Sequence, residues 1–218
     1  MKEQEVIETK LRSYYLKMNN FLTNINRKED FGFKIFNSPP LHQPDVLFIG
    51  YQPGGGKEDF AYEISRGSHL SWPQEAEYAT ASWVLAKRMR EMFEPSIDLQ
   101  KCVGLNAIFL RSPDIDTYNK NLTKKDRQAV AQFCADQVGE MIELLDPKFI
   151  VAIGFQTLNL FCASQPDLLS PKNRVLARRG MIGTRKAISV LHLSGAQISK
   201  DDRSLIASHI ISYHRRHC

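Results

Sequence analysis

The sequence predicts an α/β fold, a three-layer α/β/α sandwich around a four-stranded, mainly parallel sheet. Two observations predict it. Four short apolar runs lack the polar alternation of a half-exposed strand: DVLFIG (45–50), GLNAIFL (104–110), KFIVAIG (148–154) and AISVLHL (187–193). Such runs read as strands covered on both faces. The segments between them bear helices, as the crossovers between parallel strands require.

The elements follow in order. In residues 3–27, Val6, Ile7, Leu11, Tyr14, Tyr15, Met18, Leu22 and Ile25 mark one face of a helix. A loop with Pro39, Pro40 and Pro44 leads into the first strand. Residues 74–93 read as a helix that ends before Pro95. The second strand is stopped by Arg111-Ser112-Pro113. Thr123 and Asp126 resemble a capping box, and Val130, Phe133, Cys134, Val138, Met141, Ile142 and Leu145 then trace a long amphipathic helix. Gly154 closes the third strand, and a last helix spans about 199–214. At 218 residues the chain is expected to be one domain, 1–218, with a helical N-terminal extension over about 1–44.

Composition narrows the setting. A hydrophobic fraction of 43% and a charged fraction of 24% are those of a globular protein. No stretch approaches the roughly 18 apolar residues of a membrane span, and MKEQEVIETK has no signal-peptide core. Cys102, Cys134, Cys162 and Cys218 are far apart, with no C-x-x-C. That spacing argues against a zinc site or a disulfide framework and suits a reducing cytoplasm. A monomer with neither a metal nor a cofactor is expected. The net charge of +5 is compatible with a nucleic-acid partner but does not require one.

The first strand runs into Gly50-Tyr51-Gln52-Pro53-Gly54-Gly55-Gly56-Lys57. A Walker loop would need glycine where Tyr51 stands and a hydroxyl where Glu58 stands. A dinucleotide fingerprint fails on glycine spacing, and Pro53 interrupts its turn. In parallel sheets ligands bind at the carboxyl ends of strands. That rule selects Tyr51 to Gly54, Asn106 to Pro113, and His192 to Gly195.

Taken together these stretches resemble the uracil-DNA glycosylase superfamily, over about residues 45–212. G-Y-Q-P-G is similar to G-Q-D-P-Y, G-I-N-P-G and G-E-A-P-G of three of its branches. NAIFLRSP (106–113) is similar to N-V-V-K-C-R-P-P of the iron–sulfur branch, matching at Asn106, Arg111 and Pro113. HLSGAQIS (192–199) is similar to H-P-S-x-L-S, with Ser194-Gly195 as in N-P-S-G-L-S of the mismatch branch. The cysteine spacing does not match a cluster.

The resemblance implies hydrolysis of an N-glycosidic bond in single- or double-stranded DNA. The base must leave the stack, and its departure builds negative charge on the base and positive charge on the sugar. His192 takes the position that contacts uracil O2, where a fixed donor stabilises the anion. The alternative is a structural histidine at the sheet edge. Asn106 can meet both O4 and N3–H through one amide, or satisfy backbone near a strand. Gln52 aligns with the residue that handles the attacking water; where Asp can act as base, Gln can only orient water. Tyr51 and Tyr62 join Asn106 as base-binding candidates, Tyr62 ahead of Phe60 and Trp72 for stacking. Gly54, Gly55, Gly56, Lys57, Ser194, Gly195, Gln197, Ile198 and Lys200 are the DNA-binding candidates.

Several positions depart from the family pattern. Leu193 replaces a Pro, and the wedge position falls on the small Ala196. Gln197 or Ile198 then fills that role, or single strands are preferred. Arg174, Arg178, Arg179, Arg185 and Lys186 flank the fourth strand and form either a phosphate-tracking surface or a solvated face. Three functions stay open: a glycosylase, a base- or DNA-binding module that has lost hydrolysis, and a hydrolase of free nucleosides.

Overall fold

The computed structural model describes residues 2–217 apart from Pro95, Ala196 and Gln197. Helix α1 (Lys2–Leu22) forms on the expected stripe, with Ile7, Leu11, Tyr14, Tyr15, Met18 and Leu22 buried. Val6 faces solvent. The helix packs on α6 (Lys124–Leu145), where the Tyr14 hydroxyl donates to Glu140 at 3.0 Å. Thr123 caps α6 by accepting from the Asp126 N–H, as its sequence predicts.

Strands β1 (Leu47–Gly50), β2 (Val103–Asn106), β3 (Ile150–Ile153) and β6 (Arg185–Val190) are parallel neighbours in the order β2-β1-β3-β6. The expected four-stranded, mainly parallel sheet is corrected to a six-stranded mixed one. Strands β5 (Ala177–Ile182) and β4 (Asp167–Leu169) extend it antiparallel beyond β6. The physical reason is plain in ARRGMI. An edge hairpin exposes one face, so its inner positions alternate with Arg and Met and leave no apolar run.

Alternation splits the core in two. Leu47, Ile49, Leu105 and Ile150 face a cluster shared with α1 and α6. Phe48, Val151, Ile153 and Ile188 face a second cluster with α4 (Val84–Phe93) and α8 (Lys200–His217). Helices therefore cover both faces, and α1 belongs to the same core as the strands.

Two local features position the site. Residues 32–37 run antiparallel along the free edge of β2, bridging Phe33 to Leu110 and Phe36 to Leu105. The expected helix 74–93 is interrupted. A short α3 (Glu77–Thr80) and α4 flank an extended backbone at Ala81 and Trp83. Arg90 donates to the Tyr78 and Ala81 carbonyls that the break leaves open. Helix α2 (Lys57–Ser65), where no helix is predicted, follows the glycine loop and buries none of its residues. Among the described residues no helix is long and apolar enough to cross a membrane.

Candidate active site

A cavity of about 850 Å³ opens at the carboxyl edge of the parallel strands. Its walls come from the ends of β1, β2 and β6, from Gln156 after β3, and from the α3–α4 break. Backbone bonds hold the first two walls together. Ala107 and Ile108 N–H donate to Gly50 and Tyr51 carbonyls at 2.8 Å, and Ser112 N–H to Pro53 at 3.2 Å. The segment after β1 thus continues alongside the segment after β2 and carries Gln52 to the cavity wall.

Gln52 is half-buried, and its Oε1 is buried without a hydrogen-bond donor. Such an acceptor costs about 1–3 kcal/mol if left empty. Asn106 also lines the cavity and is 2% exposed. Its Nδ2 donates to the Lys34 and Ile35 carbonyls at 3.3 Å each, and its Oδ1 accepts from Asn37 Nδ2 at 3.4 Å. One acceptor site of Asn106 Oδ1 remains, because a carbonyl oxygen has two. The Asn106 amide hydrogens are taken by backbone, and Asn37 is shared between Asn106 and Tyr78.

His192 lines the cavity just beyond β6, two strands from β1, and is exposed, with Ser194 Oγ 3.1 Å from Nδ1. Partial desolvation holds its pKa below the ordinary histidine value. A neutral ring that accepts the Ser194 hydroxyl at Nδ1 carries its hydrogen on Nε2. Gly195 closes the turn through its N–H to the His192 carbonyl at 3.1 Å, and Leu193 is buried where the family pattern has Pro.

Aromatic groups reach the cavity by tertiary packing. Tyr51 is half-buried on the wall, and burial raises its phenol pKa. Tyr78 is buried, hydrogen-bonded to Asn37, and pressed onto β2 at Gly104, where a Cβ would sit 2.9 Å from its ring. Trp83 stands edge-on to Tyr78 with centroids 5.5 Å apart and is 39% exposed at the rim. Tyr62, by contrast, points to solvent from α2, beneath Arg66. Phe60 lies over Gly32, and Trp72 is buried under Arg12.

The DNA-binding candidates divide. Gly54, Gly55 and Ser194 line the cavity. Gly55 has φ of +103°, and a Cβ there would lie 2.7 Å from Asp59 Oδ2 and 3.1 Å from Arg111 Cδ. The Gly56 N–H donates to Asp59 at 2.7 Å, and Lys57 pairs with Glu29 at 2.9 Å, outside the cavity lining. Gly195 is exposed beside the cavity, Ile198 is buried in the second core cluster, and Lys200 is exposed at the start of α8. Gln197, like the wedge position Ala196, lies outside the described residues.

Arg111, Lys34, Glu63, Glu77, Asp59 and Asp114 supply the charge of the lining. Four carboxylates face two cations, so the cavity is acidic although the chain is basic. Among the described residues no group of His, Cys, Asp or Glu is placed to hold a metal ion. Asn37, Tyr78, Trp83 and Glu63 were not legible as site residues, since no motif surrounds them. Arg111 had a signal, its place in NAIFLRSP. No protein-family model matches the chain, and no curated protein matches its sequence.

Proposed function

We propose that the protein is a DNA glycosylase of the uracil-DNA glycosylase type, which hydrolyses the N-glycosidic bond of uracil or a related damaged base and acts in the cytoplasm. The observation that carries this reading is that Gln52, Asn106 and His192, taken from three separate motifs, line one cavity. The two core clusters on opposite sheet faces support the three-layer arrangement that the reading implies.

In the proposed reaction a flipped nucleotide enters the cavity, with its base between His192 and the Asn37–Asn106 pair. Asn106 Oδ1 accepts N3–H through its remaining acceptor site. Cytosine has an acceptor at N3 and loses that bond. Trp83 stacks on the base or on its neighbour. As the bond lengthens, His192 donates from Nε2 to O2. The Gln52 carbonyl holds the water that attacks the anomeric carbon, its lack of a donor fitting that task. The acidic lining stabilises the sugar cation electrostatically. Leaving-group stabilisation and positioning then carry most of the barrier reduction, because Gln52 is no base.

The test is single-turnover excision on single- and double-stranded oligonucleotides containing uracil, hypoxanthine or xanthine, read as abasic sites. Excision of one of them is expected. DNA binding with no excision in any context makes the protein a binding module instead.

A further inference from the structure

Arg111 is a charged side chain in an unusual position. It is 3% exposed, on the cavity wall, under the backbone of Gly55. Its Nη2 pairs with Glu63 at 2.7 Å, while its Nε and Nη1 are buried with no hydrogen-bond partner. A guanidinium keeps its charge in proteins and carries five donors in a planar fork. Burying that fork on a single carboxylate leaves donors unsatisfied and is costly. Glu63 itself comes from α2, a helix that buries none of its residues. The cavity's other cation differs. Lys34 pairs with Glu77 at 2.5 Å, and its nitrogen is not among the buried unpartnered atoms.

We propose that Arg111 is the site's phosphate-binding residue and that Glu63 is a stand-in anion, displaced when a phosphate of the bound nucleotide enters. The inference rests on the glycosylase reading and deepens it, because it makes the substrate a phosphate-bearing nucleotide and not a free nucleoside. A phosphate brings tetrahedrally set oxygens, two unesterified in a DNA diester and three in dUMP, to the donors that the single Glu63 contact leaves empty. Glu63 keeps the charge paired while the cavity is empty and excludes other anions. Its displacement lowers apparent affinity, since only the open arrangement binds.

The test measures binding of dUMP, deoxyuridine and inorganic phosphate by calorimetry to wild type, Glu63→Gln, Glu77→Gln, Arg111→Gln and Arg111→Lys, with each variant's fold checked by circular dichroism. Wild type is expected to prefer dUMP over deoxyuridine. Glu63→Gln raises dUMP and phosphate affinity about fivefold or more and leaves deoxyuridine unchanged. Glu77→Gln removes the same charge from the same cavity but leaves the competitor in place, so it gives a smaller gain. Arg111→Gln lowers the phosphate preference on the order of tenfold or more; should it not fold, Arg111→Lys and Glu63→Gln carry the test. Equal gains from Glu63→Gln and Glu77→Gln, or no phosphate-dependent binding in Glu63→Gln, overturn the inference. Uracil excision by wild type is scored separately. Excision without phosphate preference sinks this inference and keeps the glycosylase, whereas a Glu63→Gln gain without excision does the reverse.

Discussion

At the carboxyl edge of the parallel strands, polar groups hold bonding capacity in reserve, whereas on and beside the β5–β6 hairpin three arginines have carboxylate partners in the folded chain. Gln52 Oε1 and two nitrogens of Arg111 are buried without partners. On the hairpin side Arg178 pairs with Asp167 on β4 and lies over Phe155, Arg185 pairs with Asp146 at the end of α6, and Arg174 pairs with Asp202 on α8. An arginine-rich stretch that reads either as a phosphate track or as a solvated face thus serves in good part to pin an edge hairpin to its neighbours. The side chains in these pairs are mostly a third or more exposed, and such pairs contribute only about 0–1 kcal/mol each. The cavity's orphaned groups run the other way, at about 1–3 kcal/mol apiece. A chain tolerates that cost where a ligand removes it.

The sharpest way to break the contrast is His192→Ala. If the cavity works by donors aimed at the leaving base, loss of this one slows single-turnover excision by about 10²–10³-fold. Substrate affinity changes far less, because most contacts that hold DNA go to its backbone. A variant that loses affinity and rate together would instead make His192 a general binding residue.

Trp83→Ala comes next. Base–aromatic stacking contributes about 1–3 kcal/mol per base, so affinity for a uracil-containing single strand is expected to fall by that amount in a fluorescence titration. Tyr62→Ala, on the solvent face of α2, is expected to change it by less than about 0.5 kcal/mol, as ordinary surface substitutions do. The reverse ranking would move the stacking role back to Tyr62.

What was legible follows from how each residue reaches the cavity. Gln52, Asn106 and His192 sit at the ends of buried strands, whose apolar runs announce themselves and whose parallel order fixes one functional edge. Asn37 arrives through an antiparallel bridge to β2, a pairing with no local signature. Tyr78 and Trp83 lie in a stretch whose helical pattern hides the break at Ala81 to Trp83. Glu63 was hidden because nothing in GGGKEDFAYEIS announces a core-packed helix; the Asp59 carboxylate on the Gly56 N–H starts a helix that packs no residue into the core. Strand β5 escaped for the opposite reason to β1, since it has a solvent face and so no apolar run.

Gln52 gives a smaller effect than His192 or Trp83. Asn at this position keeps a neutral carbonyl one methylene shorter, and excision is expected to stay within about tenfold, roughly 1.4 kcal/mol in the barrier. Gln52→Leu removes the acceptor while keeping the volume and is expected to fall further than Asn. Equal rates for Leu and wild type in single-turnover assays would mean that the buried Oε1 orients no water.

The smallest effect tests the hairpin itself. Arg179 and Lys186 are exposed on β5 and β6, beside the paired Arg178 and Arg185. If the exposed pair tracks phosphates, each neutralisation to Gln removes one released counterion. The slope of log affinity against log salt then flattens by about 0.9 per residue, or roughly 3.5-fold in affinity over a fourfold salt range. Arg178→Gln and Arg185→Gln should leave that slope nearly unchanged, because their charge is already balanced by aspartate. They should lower stability instead, by about 1 kcal/mol or less in urea denaturation. A flattened slope in the paired variants and none in the exposed ones would mean that DNA competes for those aspartate-bound arginines. The hairpin would then hold capacity in reserve as the cavity does, and the contrast between the two regions would be lost.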